Sequence, residues 1–176
     1  IIYRQIRTEE DLKTWTKAIK FSNSKKRIIW IAGHGIENKN SFEIRMPDYK
    51  KTQQGQRLKP STIKKALNSA GKIEGVIIDS CNFGNNSPKS WIPNNISWAL
   101  AYRTPVNWSE SVFFGIKTIE WLYERNNIPK NSNNAKQIFE SGVTTGGYKN
   151  KEDRFSLIDF ANSLKASFYY RTQGST

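Results

Sequence analysis

This 176-residue chain contains a single histidine, His34, and a single cysteine, Cys81. His34 follows the apolar run of residues 27–32 and lies between two glycines, and Cys81 follows the apolar run of residues 75–79. A thiol is a weak nucleophile until it loses its proton, and a neighbouring imidazole can accept that proton. If the two runs are adjacent parallel strands, both side chains emerge at the same edge of the sheet. The pattern therefore predicts a nucleophilic Cys81 with His34 as its base.

Such a nucleophile needs donors for the negative charge that develops on the oxygen of an attacked carbonyl. The backbone N–H groups of Gly35 and Cys81 are the natural candidates, and the glycines around His34 allow a substrate chain to approach closely. Each residue alone also has an ordinary structural interpretation. A histidine after a strand is usually a loop residue, and a free cysteine is usually a small buried apolar residue. Their joint placement, 47 positions apart, favours catalysis.

Length and composition limit the class of protein. The chain is long enough for one domain with a hydrophobic core, which we expect over residues 1–176. One cysteine allows no internal disulfide, which fits a reducing, cytoplasmic location. No apolar run approaches the roughly 18 residues that a membrane span needs.

Neither a metal nor a cofactor is expected. Structural zinc usually needs four ligands, and the chain has one cysteine and one histidine. The sequence contains neither a phosphate-binding loop motif nor a dinucleotide-binding glycine motif.

The formal net charge of +13 bears on partners. Such an imbalance is compatible with contact to nucleic acid or another anionic partner, but it is more typical of a solvated, lysine-rich surface. The basic residues are spread along the chain without a dense basic tail. Nucleic acid therefore stays open as a partner.

The order of predicted elements is typical of an α/β domain with a mostly parallel sheet. We expect strands over residues 1–6, 27–32, 75–79 and 96–102, and helices over residues 9–21, 60–70, 109–124 and 135–141. Residues 36–58 are interpreted as a loop or small hairpin, residues 85–95 as a loop, 126–134 as a linker and 142–150 as a mobile segment. Residues 156–170 fit either a helix or a strand.

The motifs Gly33-His34-Gly35 and Asp79-Ser80-Cys81, each after a strand, resemble the catalytic motifs of caspase-like cysteine peptidases. This group includes caspases, metacaspases, paracaspases, separases and bacterial CHAT-type proteases. The motifs look closest to the metacaspase and bacterial forms, and the caspase Gln-Ala-Cys motif is absent. The resemblance covers about residues 1–124 in element order, and only the two motifs are specific. It implies a caspase-like three-layer sandwich and a cysteine endopeptidase.

The resemblance also implies substrate-binding residues. The segment from Tyr102 to Trp108 and Ser109 is similar to the one that lines the substrate cleft in this group. Ser109 stands where caspases carry an arginine for an acidic P1 residue, so a preference for aspartate is not expected. Asp79 occupies the position of a metacaspase acid that binds arginine or lysine at P1, which implies a basic P1. The alternative that Asp79 only hydrogen-bonds a nearby backbone N–H stays open.

The chain departs from the family pattern at its start. The family sheet has a further strand and helix before the strand expected over residues 1–6. Either the chain is a fragment whose first strand was removed or lies on another chain, or the register of this segment is shifted. By family analogy we expect a regulated effector in bacterial defence or cell death, with protein substrates and a sensor subunit. An inactive caspase-like scaffold, a basic nucleic-acid-binding module and a non-proteolytic thiol hydrolase stay open as alternatives.

Overall fold

A computed structural model describes residues 4–24, 26–46, 57–124 and 166–170. In chain order the elements are α1 (Glu9–Lys20), β1 (Ile28–Ala32), β2 (His34–Asn38), β3 (Ser41–Arg45), β4 (Arg57–Leu58), α2 (Pro60–Ser69), β5 (Ile73–Asp79), a 3-10 turn (Phe83–Asn85), α3 (Pro88–Trp91), β6 (Ile96–Tyr102), α4 (Trp108–Glu124) and β7 (Ala166–Tyr170).

Both early helices begin and end where the sequence places their boundary residues. At the start of α1, the Asp11 N–H donates to the Thr8 hydroxyl at 3.0 Å, and the Thr8 N–H donates to the Asp11 carboxylate at 2.9 Å. This reciprocal capping box satisfies two N–H groups that have no partner within the helix. Pro60 occupies the first turn of α2, and Gly71 follows its end with a φ of +72°, which favours glycine.

The main sheet has the strand order β1-β5-β6-β7. β1 pairs parallel with β5, β5 pairs parallel with β6, and β7 pairs antiparallel with β6. The register places Ala32 opposite Asp79, so β1 and β5 end side by side. The expected α/β class with a mostly parallel sheet is confirmed.

Apolar side chains pack on both faces of this sheet. Alternate residues of a strand point to opposite faces, and those of β5 accordingly divide between two buried clusters. Val76 and Ile78 belong to a cluster that contains residues of α1 and α2. Ile77 belongs to a second cluster that contains Phe114 and Leu122 of α4. Helices thus cover both faces, which leaves the carboxyl ends of the strands for the loops that carry function.

A second, antiparallel sheet follows β1 directly, with the order β2-β3-β4. Only Gly33 separates β1 from β2, and His34 is the first residue of β2. The hairpin that was one of two interpretations of residues 36–58 is therefore present, and it begins two residues earlier, at His34 itself.

Two expectations need correction. Residues 85–95 are not simply a loop, since they contain the end of the 3-10 turn and the short helix α3, which begins at Pro88. The strand expected over residues 1–6 is not found in its described part, residues 4–6, because the chain there leads into the cap of α1.

Several further expectations fall on other parts of the chain. Residues 1–3, the linker at 126–134, the helix at 135–141 and the segment at 142–150 lie outside the described residues. Of residues 156–170, only 166–170 are described, and they form strand β7.

Candidate active site

The two predicted catalytic residues lie at the carboxyl ends of neighbouring parallel strands. The Gly33 N–H donates to the Asp79 carbonyl at 3.1 Å, which continues the β1–β5 pairing one residue beyond β1. Gly35 then packs directly against Cys81, because a Cβ built on Gly35 would overlap the Cys81 carbonyl oxygen and lie 3.0 Å from its nitrogen. The backbone on either side of His34 is thus anchored on the segment from Asp79 to Cys81.

Cys81 is half-buried and its thiol is free. Its Sγ accepts a hydrogen bond from the Val106 N–H at 3.4 Å. Within the described ranges, the backbone hydrogen bonds include none from the Cys81 N–H.

The backbone turns sharply after the cysteine. Asn82 has a φ of +59°, in the left-handed region that few residues other than glycine adopt. Its N–H donates to the Thr104 carbonyl at 3.1 Å, and this bond ties the turn to the segment that follows β6. The same segment supplies the Val106 N–H, so one connection fixes both the turn and the sulfur.

The His34 side chain is exposed at the start of β2, opposite Arg45 of β3. Its ring makes an edge-to-face contact with the Trp108 indole, with the ring centroids 6.3 Å apart and the planes at 71°. Trp108 is 49% exposed at the start of α4. The structure therefore brings together His34 and Trp108, which lie 74 positions apart in the sequence.

Asp79 lies beneath this surface with only 2% of its area exposed. The Trp30 indole N–H donates to its carboxylate at 3.4 Å, and the Ser111 side chain lies nearby, with its hydroxyl donating to the Trp108 carbonyl at 3.2 Å. Burial raises the pKa of Asp79 above its ordinary value of 3.8, and the neighbouring Ser111 and Trp30 side chains oppose that rise. Among the described residues, no Lys, Arg or His forms an ion pair with Asp79.

Tyr102 and Ser109 occupy very different positions. Tyr102 is fully buried, and its hydroxyl donates to the Ser111 carbonyl at 3.0 Å. Burial and the neighbouring Asp79 carboxylate raise the pKa of Tyr102, so it stays a neutral phenol. Its side chain therefore supports the site from below and does not reach the surface. Ser109 is exposed, and its N–H and hydroxyl both donate to the Asn107 side chain, at 3.1 and 2.8 Å.

Sequence reasoning missed three groups at this site. Trp30 and Ser111 approach the Asp79 carboxylate from β1 and α4, and the Val106 N–H approaches the sulfur from a loop. The position of Trp30 could have been predicted from the sequence. Alternation along β1 places it on the same face as Ala32, which pairs with Asp79. The other two depend on how α4 and its preceding loop cross the sheet, which no local pattern specifies.

The close packing of Gly35 on Cys81 gives a direct prediction. Gly35→Ala forces its new methyl group into the Cys81 carbonyl, and neither backbone can move without displacing His34 or the thiol. We expect a loss of about 1–3 kcal/mol in the free energy of unfolding, together with slower alkylation of Cys81 by iodoacetamide at pH 7.

Gly75→Ala is the matched control for that variant, because its methyl group would overlap the Trp98 ring at the other end of β5. Thermal unfolding and the alkylation rate are measured for both variants. Similar destabilisation with slower alkylation only for Gly35→Ala is the expected result. Equal alkylation rates in the two variants would show that the Gly35 contact does not order the site.

Comparison with known proteins adds no family assignment, since neither the protein-family models nor the curated proteins contain a match to this chain. The described residues hold no group of three or more His, Cys, Asp or Glu side chains that could bind a metal ion. They also hold no helix that is both long and apolar enough to cross a membrane.

Proposed function

We propose that this chain is a cysteine endopeptidase with a caspase-like three-layer fold, in which Cys81 is the nucleophile and His34 moves the protons. The observation that carries the proposal is the packing of Gly35 on the Cys81 backbone at the ends of adjacent parallel strands. This packing joins the backbone beside the chain's one histidine to the backbone of its one cysteine, and we infer that the two side chains meet above it. In this proposal the N–H of Cys81, which has no acceptor among the described residues, stabilises the oxyanion.

The reaction has two steps. His34 accepts the thiol proton, and Cys81 Sγ attacks the carbonyl carbon, so that the oxygen becomes an anion near the N–H groups of Cys81 and Gly35. The C–N bond then breaks, the amine leaves with the proton from His34, and a thioester remains. In the second step His34 takes a proton from water, and the hydroxide attacks the thioester. The acid is released and the proton returns to the sulfur.

Asp79 favours a basic P1 residue in this scheme. A buried carboxylate that has only neutral donors is poorly stabilised, and a cation beside it would offset that cost. The Trp30 indole N–H helps to hold the carboxylate in one orientation. Trp108, exposed beside His34, supplies an apolar surface for the substrate chain. An arginine or lysine side chain meets both requirements, with an aliphatic stem and a charged end.

The wider role in this proposal is that of a regulated effector in bacterial defence or cell death, switched on by a sensor subunit. Its support is family analogy through the two motifs. The action belongs in a reducing compartment such as the cytoplasm, because the single thiol must remain unoxidised to react.

A peptide library with all residues varied at P1 tests the proposal. We expect cleavage after arginine and lysine and not after aspartate. The chain is also incubated with an electrophilic peptide probe, and the labelled residue is located by mass spectrometry. The absence of both cleavage and labelling at Cys81 would favour an inactive scaffold. Labelling with cleavage of small thioesters only would favour a non-proteolytic hydrolase.

A further inference from the structure

The two halves of the proposed site belong to different sheets. Cys81 follows β5 of the main sheet, whereas His34 begins β2 of the small antiparallel sheet. A displacement of about 1 Å between reacting groups can cost about 10²-fold in rate. Gly33 and the packing of Gly35 on Cys81 hold the start of β2, and a contact farther along the small sheet would fix its orientation.

The turn after Cys81 is fixed firmly to the main sheet. The Asn82 N–H donates to Thr104, the Tyr169 hydroxyl of β7 donates to the Gly84 carbonyl at 3.2 Å, and the Asn85 side chain donates to the Arg103 carbonyl at 3.0 Å. Phe83 is fully buried against Trp91. This turn, residues 82–86, is therefore a rigid part of the main sheet's edge.

Asn86, the last residue of that turn, connects it to the small sheet. The Phe42 N–H of β3 donates to Asn86 Oδ1 at 3.0 Å, and Asn86 Nδ2 donates back to the Phe42 carbonyl at 2.9 Å. The same Nδ2 donates to the Phe83 carbonyl within the turn, also at 2.9 Å. Asn86 is only 7% exposed, so these bonds compete little with water.

We propose that Asn86 is a positioning residue for the reaction, because its amide holds the hairpin that carries His34 against the turn that carries Cys81. It touches neither the substrate nor the reacting atoms.

The paired bonds reproduce what a neighbouring strand would offer to Phe42, so they fix both the distance and the direction of β3. β3 pairs with β2 along its full length, from Asn38 opposite Ser41 to His34 opposite Arg45. The constraint at Phe42 therefore reaches His34 through this pairing. The inference rests on the proposed function of the His34–Cys81 pair.

Asn86→Ala tests it, with Asn95→Ala as the matched control. Asn95 is also an asparagine whose side-chain amide donates to two backbone carbonyls, those of Leu67 and Gly71, at the far end of α2. Both variants lose stability. The measurements are the iodoacetamide alkylation rate of Cys81 at pH 7, and kcat and KM for a fluorogenic peptide with arginine at P1. Asn86→Asp, which keeps an acceptor for Phe42 and loses both donors, is measured alongside in case Asn86→Ala does not fold.

Simple destabilisation exposes a half-buried thiol and speeds alkylation, whereas misplacement of His34 slows it. We expect Asn86→Ala to alkylate about as slowly as His34→Ala and to lose about 10²-fold in kcat with little change in KM. Asn95→Ala should keep the kcat of the wild type. If Asn86→Ala and Asn86→Asp keep wild-type kcat and alkylation rates while His34→Ala does not, the role of Asn86 is wrong and the proposed function stands. If His34→Ala itself alkylates at the wild-type rate, the proposed function fails.

Discussion

Cys81→Ala is expected to reduce peptide cleavage by about 10⁴-fold or more, because removal of the nucleophile leaves only binding and oxyanion stabilisation. The fold should survive the change. Cys81 is half-buried, and its thiol accepts one long bond, from Val106. The loss of that bond costs about 1 kcal/mol of stability. Cleavage of the preferred library peptide and thermal unfolding are the two measurements.

Cys81→Ser is a useful companion, since it keeps a polar atom near Val106 but replaces the sulfur with a far weaker nucleophile. We expect it to be nearly as inactive as Cys81→Ala and close to the wild type in stability. Wild-type cleavage by either variant would mean that the reaction does not pass through Cys81.

Asp79→Asn should abolish the preference for a basic P1 residue. The amide has nearly the same shape and can still accept from Trp30, but it has no charge to attract a lysine or arginine. The loss of one partner from a buried charge pair typically costs about 2–5 kcal/mol, or roughly 30-fold or more in kcat/KM. Cleavage after a neutral P1 residue should change far less, and this difference separates substrate binding from general damage.

The same substitution has a pH-dependent effect on stability. The pKa of Asp79 is raised in the folded chain above its ordinary value of 3.8, so ionisation of Asp79 opposes folding. The stability that the protonated Asp79 contributes to the wild type is therefore fully present below about pH 4 and is lost as the pH rises through the folded-state pKa. We expect the melting temperature of Asp79→Asn, relative to the wild type, to increase over that range and then level off.

Glu10→Gln is the control for that measurement, because it removes a carboxylate from an exposed position whose contact with Lys13 is 3.6 Å long. Exposed pairs of this kind contribute little to stability, so its melting temperature should follow that of the wild type. A fall in the relative melting temperature of Asp79→Asn with rising pH would mean that the charged form of Asp79 stabilises the fold.

The main sheet was predictable because its strands are apolar runs between clear boundary residues. The runs at β5 and β6 are buried on both faces, that at β1 is buried on one face, and Thr8, Pro60 and Gly71 mark the helix boundaries. Once β1 and β5 are taken as parallel neighbours, the closeness of the backbones that carry His34 and Cys81 follows from chain direction alone. This part of the site needs no knowledge of side-chain packing.

The small sheet and its attachment were not predictable in the same way. β2 contains Gly35 and the charged Glu37, and β4 has two residues, so neither shows the alternation of a strand. The bonds between Asn86 and Phe42 join residues 44 positions apart, and an asparagine in a polar segment gives no sign of such a partner. The burial of Tyr102 likewise depends on where α4 crosses the sheet.

The central claim is that His34 activates Cys81, and the most direct measurement is the rate at which an electrophilic peptide with arginine at P1 labels Cys81 at pH 7. The wild type and His34→Ala are compared, with the modified residue located by mass spectrometry. We predict rapid labelling of the wild type at Cys81 and labelling of His34→Ala slower by about 10²-fold or more, the usual contribution of a general base. Equal rates for the two proteins would contradict the account.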